Sequence, residues 1–199
     1  MAEATQPDQN LQRAKTRSIV LVIIGQGFQS LSIGGISLFL PRIREDMGLS
    51  YAQAGLLSSA AVLTYALMQI PAGYLADRLG PRRVFLTGAL VSNLMAIAFG
   101  LIPWYWLMVA NQAVVGVFRA LAFIPGMVLM AGWFPPQRRA TAIGLYVMGA
   151  LGGSVAFALA GPPMEAAFNW RFPFVLLGSM GVVVSLLYLR SGREYPGHR

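Results

Sequence analysis

The sequence predicts an all-α membrane protein built from six transmembrane helices. Three observations lead there. Only 11% of the 199 residues are charged and 56% are apolar, with a mean hydropathy of +0.61. A water-soluble domain carries roughly 25% charged residues, so this chain has too few to cover a surface facing water. Six apolar runs are each long enough to cross a hydrocarbon core of about 30 Å at 1.5 Å per residue. The basic residues gather in alternate connections between those runs, as the positive-inside rule requires of a polytopic protein. The net charge of +8 would also suit a nucleic-acid binder. Its confinement to short loops between apolar spans argues for membrane lipids as the surroundings and against a nucleic-acid partner.

In chain order, residues 1–17 form an expected cytoplasmic tail, with Met1–Asn10 polar and disordered and with Arg13, Lys15 and Arg17 ahead of the first span. Nothing resembling a signal-peptide cleavage site follows Leu40, so the first span is expected to remain in the mature protein. The spans are placed at Ser18–Leu40, Ala52–Gly73, Val84–Ile102, Tyr105–Gly132, Ala140–Gly161 and Phe172–Leu189, giving a bundle over residues 18–190 and a second tail over 191–199. Arg78, Arg82 and Arg83 lie between the second and third spans, Arg138 and Arg139 between the fourth and fifth, and Arg190, Arg193 and Arg199 after the sixth. The other side holds Arg42, Arg44 and Arg171, offset by Glu45, Asp46 and Glu165. Both termini are therefore expected in the cytoplasm, and the protein in a bacterial inner membrane. Trp104 and Trp106 suit an interfacial aromatic belt, and His198 is expected to be solvated.

The stretch Gly73-Tyr-Leu-Ala-Asp77-Arg78-Leu-Gly80-Pro81-Arg82-Arg83 joins the second and third spans. Gly73 would let a neighbouring helix approach. Asp77 is suited to accept hydrogen bonds at a helix N-terminus, where the dipole favours a carboxylate. Gly80 and Pro81 are expected to form the turn. The pattern closely resembles the signature loop of the major facilitator superfamily, Gly-x-x-x-Asp-Arg-x-Gly followed by basic residues, with Pro81 as an insertion before the Arg pair. Trp133–Gly144 resembles that family's loop between helices four and five, and Asn169–Phe174 its approach to helix six. The resemblance implies a three-plus-three inverted repeat, faintly echoed in Gly73-x-x-x-Asp77 against Gly161-x-x-x-Glu165. It implies a gating role for Gly73, Asp77, Arg78, Gly80, Arg82 and Arg83. It covers nearly the whole chain but only the N-terminal six-helix half of a typical twelve-helix member.

Arg119 is the one basic residue deep within a span, where insertion costs roughly 2.5–3.5 kcal/mol. At 100° per residue it shares a face with Gln112, Gly116, Phe123 and Gly126, which offers a cation, an amide, a ring and two gaps. A guanidinium there suits a carboxylate or similar small-molecule anion; a structural Arg bonded to carbonyls is the alternative. Gln26, Gln29, Ser30, Ile33 and Ser37 share a face of the first span. The family places the first and fourth helices around the cavity, which makes Gln26 and Gln29 candidate substrate donors or, equally, interhelical ties. Tyr65, on a face with Ser58 and Gln69, is a further candidate, and Tyr146 a weaker one. Gly149, Gly153, Ala156 and Ala160 form a small-residue stripe suited to close helix packing. No acidic residue falls inside a span, so a buried carboxylate proton carrier has no candidate here.

These residues point to a half-size secondary-transport subunit that moves a small organic anion by alternating access, paired with a second six-helix bundle. A different subunit is the favoured partner, because two copies would set two Arg119 side chains across one cavity without an acid. The competing readings are an accessory or scaffold membrane protein, or a truncated product. Enzymatic activity is not expected: no spacing forms a catalytic constellation, metal site or phosphate loop, and the absence of cysteine removes disulfide and thiolate chemistry. No cofactor is expected.

Overall fold

The computed structural model describes residues 6–192, and the side chains of all of these except 6–11 and 31–33. The expected tails thus lie partly outside the described residues, as do His198, Arg193, Arg199 and the side chain of Ile33. Seven α-helices follow one another: α1 (Gln6–Gln29), α2 (Leu31–Met47), α3 (Tyr51–Leu79), α4 (Pro81–Leu101), α5 (Tyr105–Gly132), α6 (Arg139–Ala167) and α7 (Arg171–Ser191). A short 3-10 turn, Pro136–Arg138, leads into α6. α1 and α2 together make one crossing, so six spans result, each long and apolar enough for a bilayer.

Several boundaries differ from expectation, each for a local reason. The helix begins at Gln6 rather than after a polar tail, with Pro7 in the first turn, where its missing N–H costs nothing. The first crossing is not one continuous helix but breaks at Ser30. There the backbone N–H bonds to the Gly27 carbonyl three residues back, and the hydroxyl donates to the Ala150 carbonyl on α6 at 2.8 Å. A Ser side chain that bonds elsewhere, close to a Gly, is a common source of helix kinks. α2 stops at Gly48, whose φ of 63° lets its N–H reach back to Arg44 and Glu45. α3 starts two residues later with a capping box, in which Ser50 and Gln53 each satisfy the other's backbone N–H. The stretch Gly73–Leu79 is helical, not a loop: α3 runs on to Leu79, and Gly80 alone makes the turn at φ 87°. Pro81 belongs to the next helix as its first residue, a position its fixed φ suits. α5 has the expected bounds. α6 extends through Pro162 and Pro163 to Ala167.

The helices pack as two interlocked triplets. The first crossing lies on α6 and α7, α5 lies on α3 and α4, and the third members α4 and α7 pack on each other. The first helix of each triplet thus rests on the second and third helices of the other. Lipid supplies no hydrophobic drive between helices, so this arrangement depends on close van der Waals fit. Glycines provide it. A Cβ on Gly88 would fall on the backbone of Phe118, Leu121 and Ala122; one on Gly116 would fall on Ala61, Thr64 and Tyr65; one on Gly153 would fall on the backbone of Gly27. Of the expected small-residue stripe on α6, Gly149 and Gly153 meet α1 at Ile23 and Gly27. Gly73, by contrast, has only Ile124 near it, at 4.0 Å, so the close approaches fall elsewhere than the expected position.

The two ends of the bundle differ in charge. At the α2–α3 end, Arg42 pairs with Glu165 at 3.2 Å and Glu45 at 3.4 Å. Arg171 donates to the Ile102 carbonyl at 2.8 Å, capping α4, and lies 3.8 Å from Asp46, which also accepts from the Trp170 indole. An aromatic cluster of Phe39, Phe99, Phe157, Trp170 and Phe174 fills the core below. At the other end Arg78, Arg82, Arg83, Arg138, Arg139 and Arg190 face a single described carboxylate, Asp77.

The glycine contacts predict an asymmetric response to substitution. Gly88→Leu should lower stability in detergent by about 1–3 kcal/mol, the usual cost of overpacking. Gly144→Ala, at a position with nothing within 4 Å, should not destabilise at all. Thermal unfolding of the two purified variants makes the comparison, and equal melting temperatures would contradict it.

Candidate functional site

The fold gathers side chains from four helices around the middle of α5. Arg119 places its guanidinium carbon 5.6 Å from the centre of the Tyr65 ring on α3. Tyr65 meets Phe123 edge-on at 6.3 Å, and Phe123 lies 5.7 Å from Tyr146 on α6. The Tyr146 hydroxyl donates to the Gln26 side-chain oxygen on α1 at 2.7 Å, with the Ala122 carbonyl at 3.3 Å as a second acceptor for the same proton. One line of contacts therefore runs Arg119–Tyr65–Phe123–Tyr146–Gln26 and touches α5, α3, α6 and α1. Helical periodicity explains the α5 members: Arg119 and Phe123 are four residues apart, on one face.

The polar groups of this line are incompletely satisfied. Nε and Nη1 of Arg119 are buried without a hydrogen-bond partner among the described protein groups, and so is Nε2 of Gln26. Magnitudes indicate what such a group can accept. A cation–π contact supplies about 0.5–2 kcal/mol, while each buried unsatisfied donor forfeits about 1–3 kcal/mol. The Tyr65 ring does not offset two orphaned donors. An anion accepting from the guanidinium does, since charge-assisted hydrogen bonds to carboxylates, sulfonates and phosphates are about twice as strong as neutral ones.

Sequence reasoning placed Arg119, Tyr65, Phe123 and Gln26 together, and the fold brings these four into one cluster. Gln29 and Gln112 stand apart from it. Gln29 is buried and donates to the Ala89 carbonyl on α4 at 3.3 Å, tying the first crossing to α4. Gln112 lies two helical turns from Arg119, about 10 Å along the axis. It donates to Asn111, which in turn bonds to Met95 on α4. Both keep a buried amide oxygen unpaired. The two gaps expected on the Arg119 face are filled by protein: α3 occupies the space at Gly116, and the Tyr146 hydroxyl that at Gly126. Tyr146 is the residue that sequence reasoning undervalued. It is fully buried and joins the cluster to α1, and its pairing with a glycine twenty residues earlier is visible only once α5 and α6 are side by side.

The residues of the α3–α4 turn do several jobs. Arg82 donates to the Leu189 carbonyl near the end of α7 at 2.8 Å. Arg78 lies over the Tyr74 ring at 4.9 Å, and Arg83 is exposed. Asp77 is exposed in the last turn of α3 and makes no hydrogen bond or ion pair among the described residues, so the helix N-terminus expected for it is not one of those in this bundle. Among the described residues no group of His, Cys, Asp and Glu could hold a metal ion.

Comparison with known proteins agrees with the fold. The family model of the Major Facilitator Superfamily matches residues 22–199. The chain belongs to that superfamily. It is 32% identical over 192 residues to a Cupriavidus necator protein named "Probable sulfoacetate transporter SauU", covering 93% of this chain and 44% of the relative. It is 29% identical to the hexuronate transporter of Bacillus subtilis, covering 89% of this chain and 42% of that one. Among solved structures, an inward-facing bacterial homologue of the human lysosomal transporter Spinster superposes with a TM-score of 0.77 at 26% identity, over 97% of this chain and 45% of that chain. The facilitator chain described here thus spans less than half the length of each of these three relatives.

The contact between Tyr146 and Gln26 is open to a direct test. A double-mutant cycle with Tyr146→Phe and Gln26→Leu should give a coupling of about 0.6–1.7 kcal/mol, the range for hydrogen bonds between membrane helices. Unfolding measurements in detergent would supply it. Strictly additive losses would show that the hydroxyl and the amide do not bond.

Proposed function

We propose that this facilitator bundle carries a small organic anion across the membrane, with Arg119 as the group that binds its acidic end. The observation carrying the proposal is a permanently charged guanidinium in mid-span, with two buried nitrogens whose N–H groups find no acceptor among the described residues. Tyr65 flanks it as an aromatic wall, and Phe123, Tyr146 and Gln26 support that wall from behind. The named relatives support the substrate class: sulfoacetate and hexuronate both end in an acidic group that a guanidinium can engage.

Alternating access needs a cavity with two walls. The reading therefore includes a second six-helix bundle of different sequence, packed against the faces that α3 and α6 leave open. Leu67 and Ile70 on α3 are 78% and 87% exposed, and Leu159 on α6 is 74% exposed. These are the helices beside the Arg119 cluster. A second copy of this bundle would oppose two guanidinium groups with no acid near mid-span, since every described carboxylate lies at a helix end. The charge asymmetry supports an orientation with the Arg-rich face in the cytoplasm, and there the α3–α4 turn would gate the inward opening.

Two experiments test the proposal. In binding measurements on the purified protein, Arg119→Ala should abolish affinity for a carboxylate such as a uronate. Arg119→Lys, which keeps charge but loses the planar fork, should weaken it by about tenfold or more. Full binding by the Ala variant would remove Arg119 from the site. For orientation, a cysteine at Gln137 should be shielded from impermeant reagents in intact cells and one at Gly48 should be labelled. The reverse pattern would overturn the orientation.

A further inference from the structure

Two grooves lie end to end along the first crossing and α7, away from the Arg119 cluster. The first, of about 630 Å³, is lined by Arg13, Arg17, Val20 and Leu21 of α1 and by Leu187 and Ser191 of α7. The second, of about 440 Å³, continues past Ile24 and Gly27 and over Gly152 and Gly153 of α6 to Met180 and Leu177 of α7. On α1, residues 13, 17, 20, 24 and 27 fall on one helical face, and on α7 so do 177, 180, 187 and 191, so the grooves form one track. Its two ends differ in chemistry. The outer end carries two guanidinium groups, the Thr16 and Ser191 hydroxyls and the Gln12 amide, and no carboxylate lines it among the described residues. Lys15, the third cation of this segment, turns away onto the Phe134 ring at 4.9 Å. The inner end is apolar and floored by glycine, and a Cβ on Gly152 would meet nothing within 4 Å.

Length fixes what such a track suits. From Arg17 to Phe28 the helix rises roughly 16 Å, about one leaflet of a 30 Å hydrocarbon core. The track is therefore cationic at headgroup depth and apolar down to mid-bilayer. It also has a structural origin. α5 is drawn against α3 and α4 by backbone contacts at Gly116 and Gly88, whereas the matching seat of the first crossing on α7 has no such glycine approach: a Cβ on Gly25 would meet Val184 at an ordinary 3.9 Å.

We propose that this track is a binding site for one anionic phospholipid of the surrounding membrane. Its phosphate sits between Arg13 and Arg17, and one acyl chain runs past Leu187 and Met180 to the Gly152–Gly153 floor. Charge complementarity selects the anionic headgroup, and the leaflet-length apolar run selects a lipid over a free phosphate.

Native mass spectrometry of the intact purified protein, in the assembly in which it is isolated, tests the site with phosphatidylglycerol and phosphatidylcholine of identical chains. Phosphatidylglycerol should be retained preferentially. Arg13→Gln with Arg17→Gln should reduce that retention by about 30-fold, from about fivefold for each Arg at an anionic surface. Arg13→Lys with Arg17→Lys, which keeps both charges, should restore most of it. Gly152→Leu, at a position where a Cβ has open space, fills the floor and should weaken retention of the lipid while leaving its headgroup preference intact. Equal retention of the two lipids, or no change in the double Gln variant, would overturn the proposal. So would competition by soluble glycerol phosphate at the concentration of the lipid, since a headgroup site alone would then account for the binding.

Discussion

The close seat of α5 on its neighbours is the constraint on which the rest of the bundle depends. Inside a bilayer every backbone polar group is satisfied within its own helix, and apolar side chains gain nothing by leaving lipid for one another. What remains is contact at short range, and side chains longer than hydrogen hold backbones apart. Gly88 and Gly116 remove that spacing on two sides of α5, so α3 and α4 meet its backbone directly. α5 is thereby the best-held element, with Met108, Val115, Ala120 and Ala122 all fully enclosed. The helix that bears the costly charge is the one with least freedom to tilt it toward lipid.

That rigidity gives the buried charge its meaning. An Arg on a loosely packed helix would extend its long side chain to the nearest interface and lower its cost. Arg119 is instead held against Tyr65, and behind Tyr65 the rings of Phe123 and Tyr146 transmit the contact to Gln26 on the first crossing. An anion bound as proposed would compete with this cation–π contact. The opposite chemistry prevails at the α2–α3 end, where Arg42 and Arg171 are spent on carboxylates and on the open carbonyls of α4. One membrane face is neutralised by pairing while the other stays strongly basic.

Much of this was legible in the sequence, and the omissions have physical causes. Span number and type follow from apolar length, which one-dimensional reading handles well. Arg119 declares itself because a charge in mid-span has few reasons to exist. Partners on other helices are another matter. Gln26 and Gln29 look alike on a helical wheel, but one faces Tyr146 and the other the Ala89 carbonyl, and three residues of rotation decide which. The gaps read at Gly116 and Gly126 were real absences of side chain, but a gap on one helix is where its neighbour enters. The α3–α4 stretch read as a loop because its charges looked loop-like. Between Tyr74 and Leu79 there is no Gly or Pro, and the helix continues to Gly80.

The one-residue turn at Gly80 has a mechanical consequence. A chain reaches at most about 3.6 Å per residue, so Leu79 and Pro81 stay within roughly 7 Å of each other whatever the rest of the bundle does. α3 and α4 thus share a pivot with no slack. The bond from Arg82 to Leu189 adds the end of α7 to the same joint. Three of the six crossings meet at one point on the Arg-rich face, so a displacement of α3 at that end has no slack to absorb it before it reaches the start of α4.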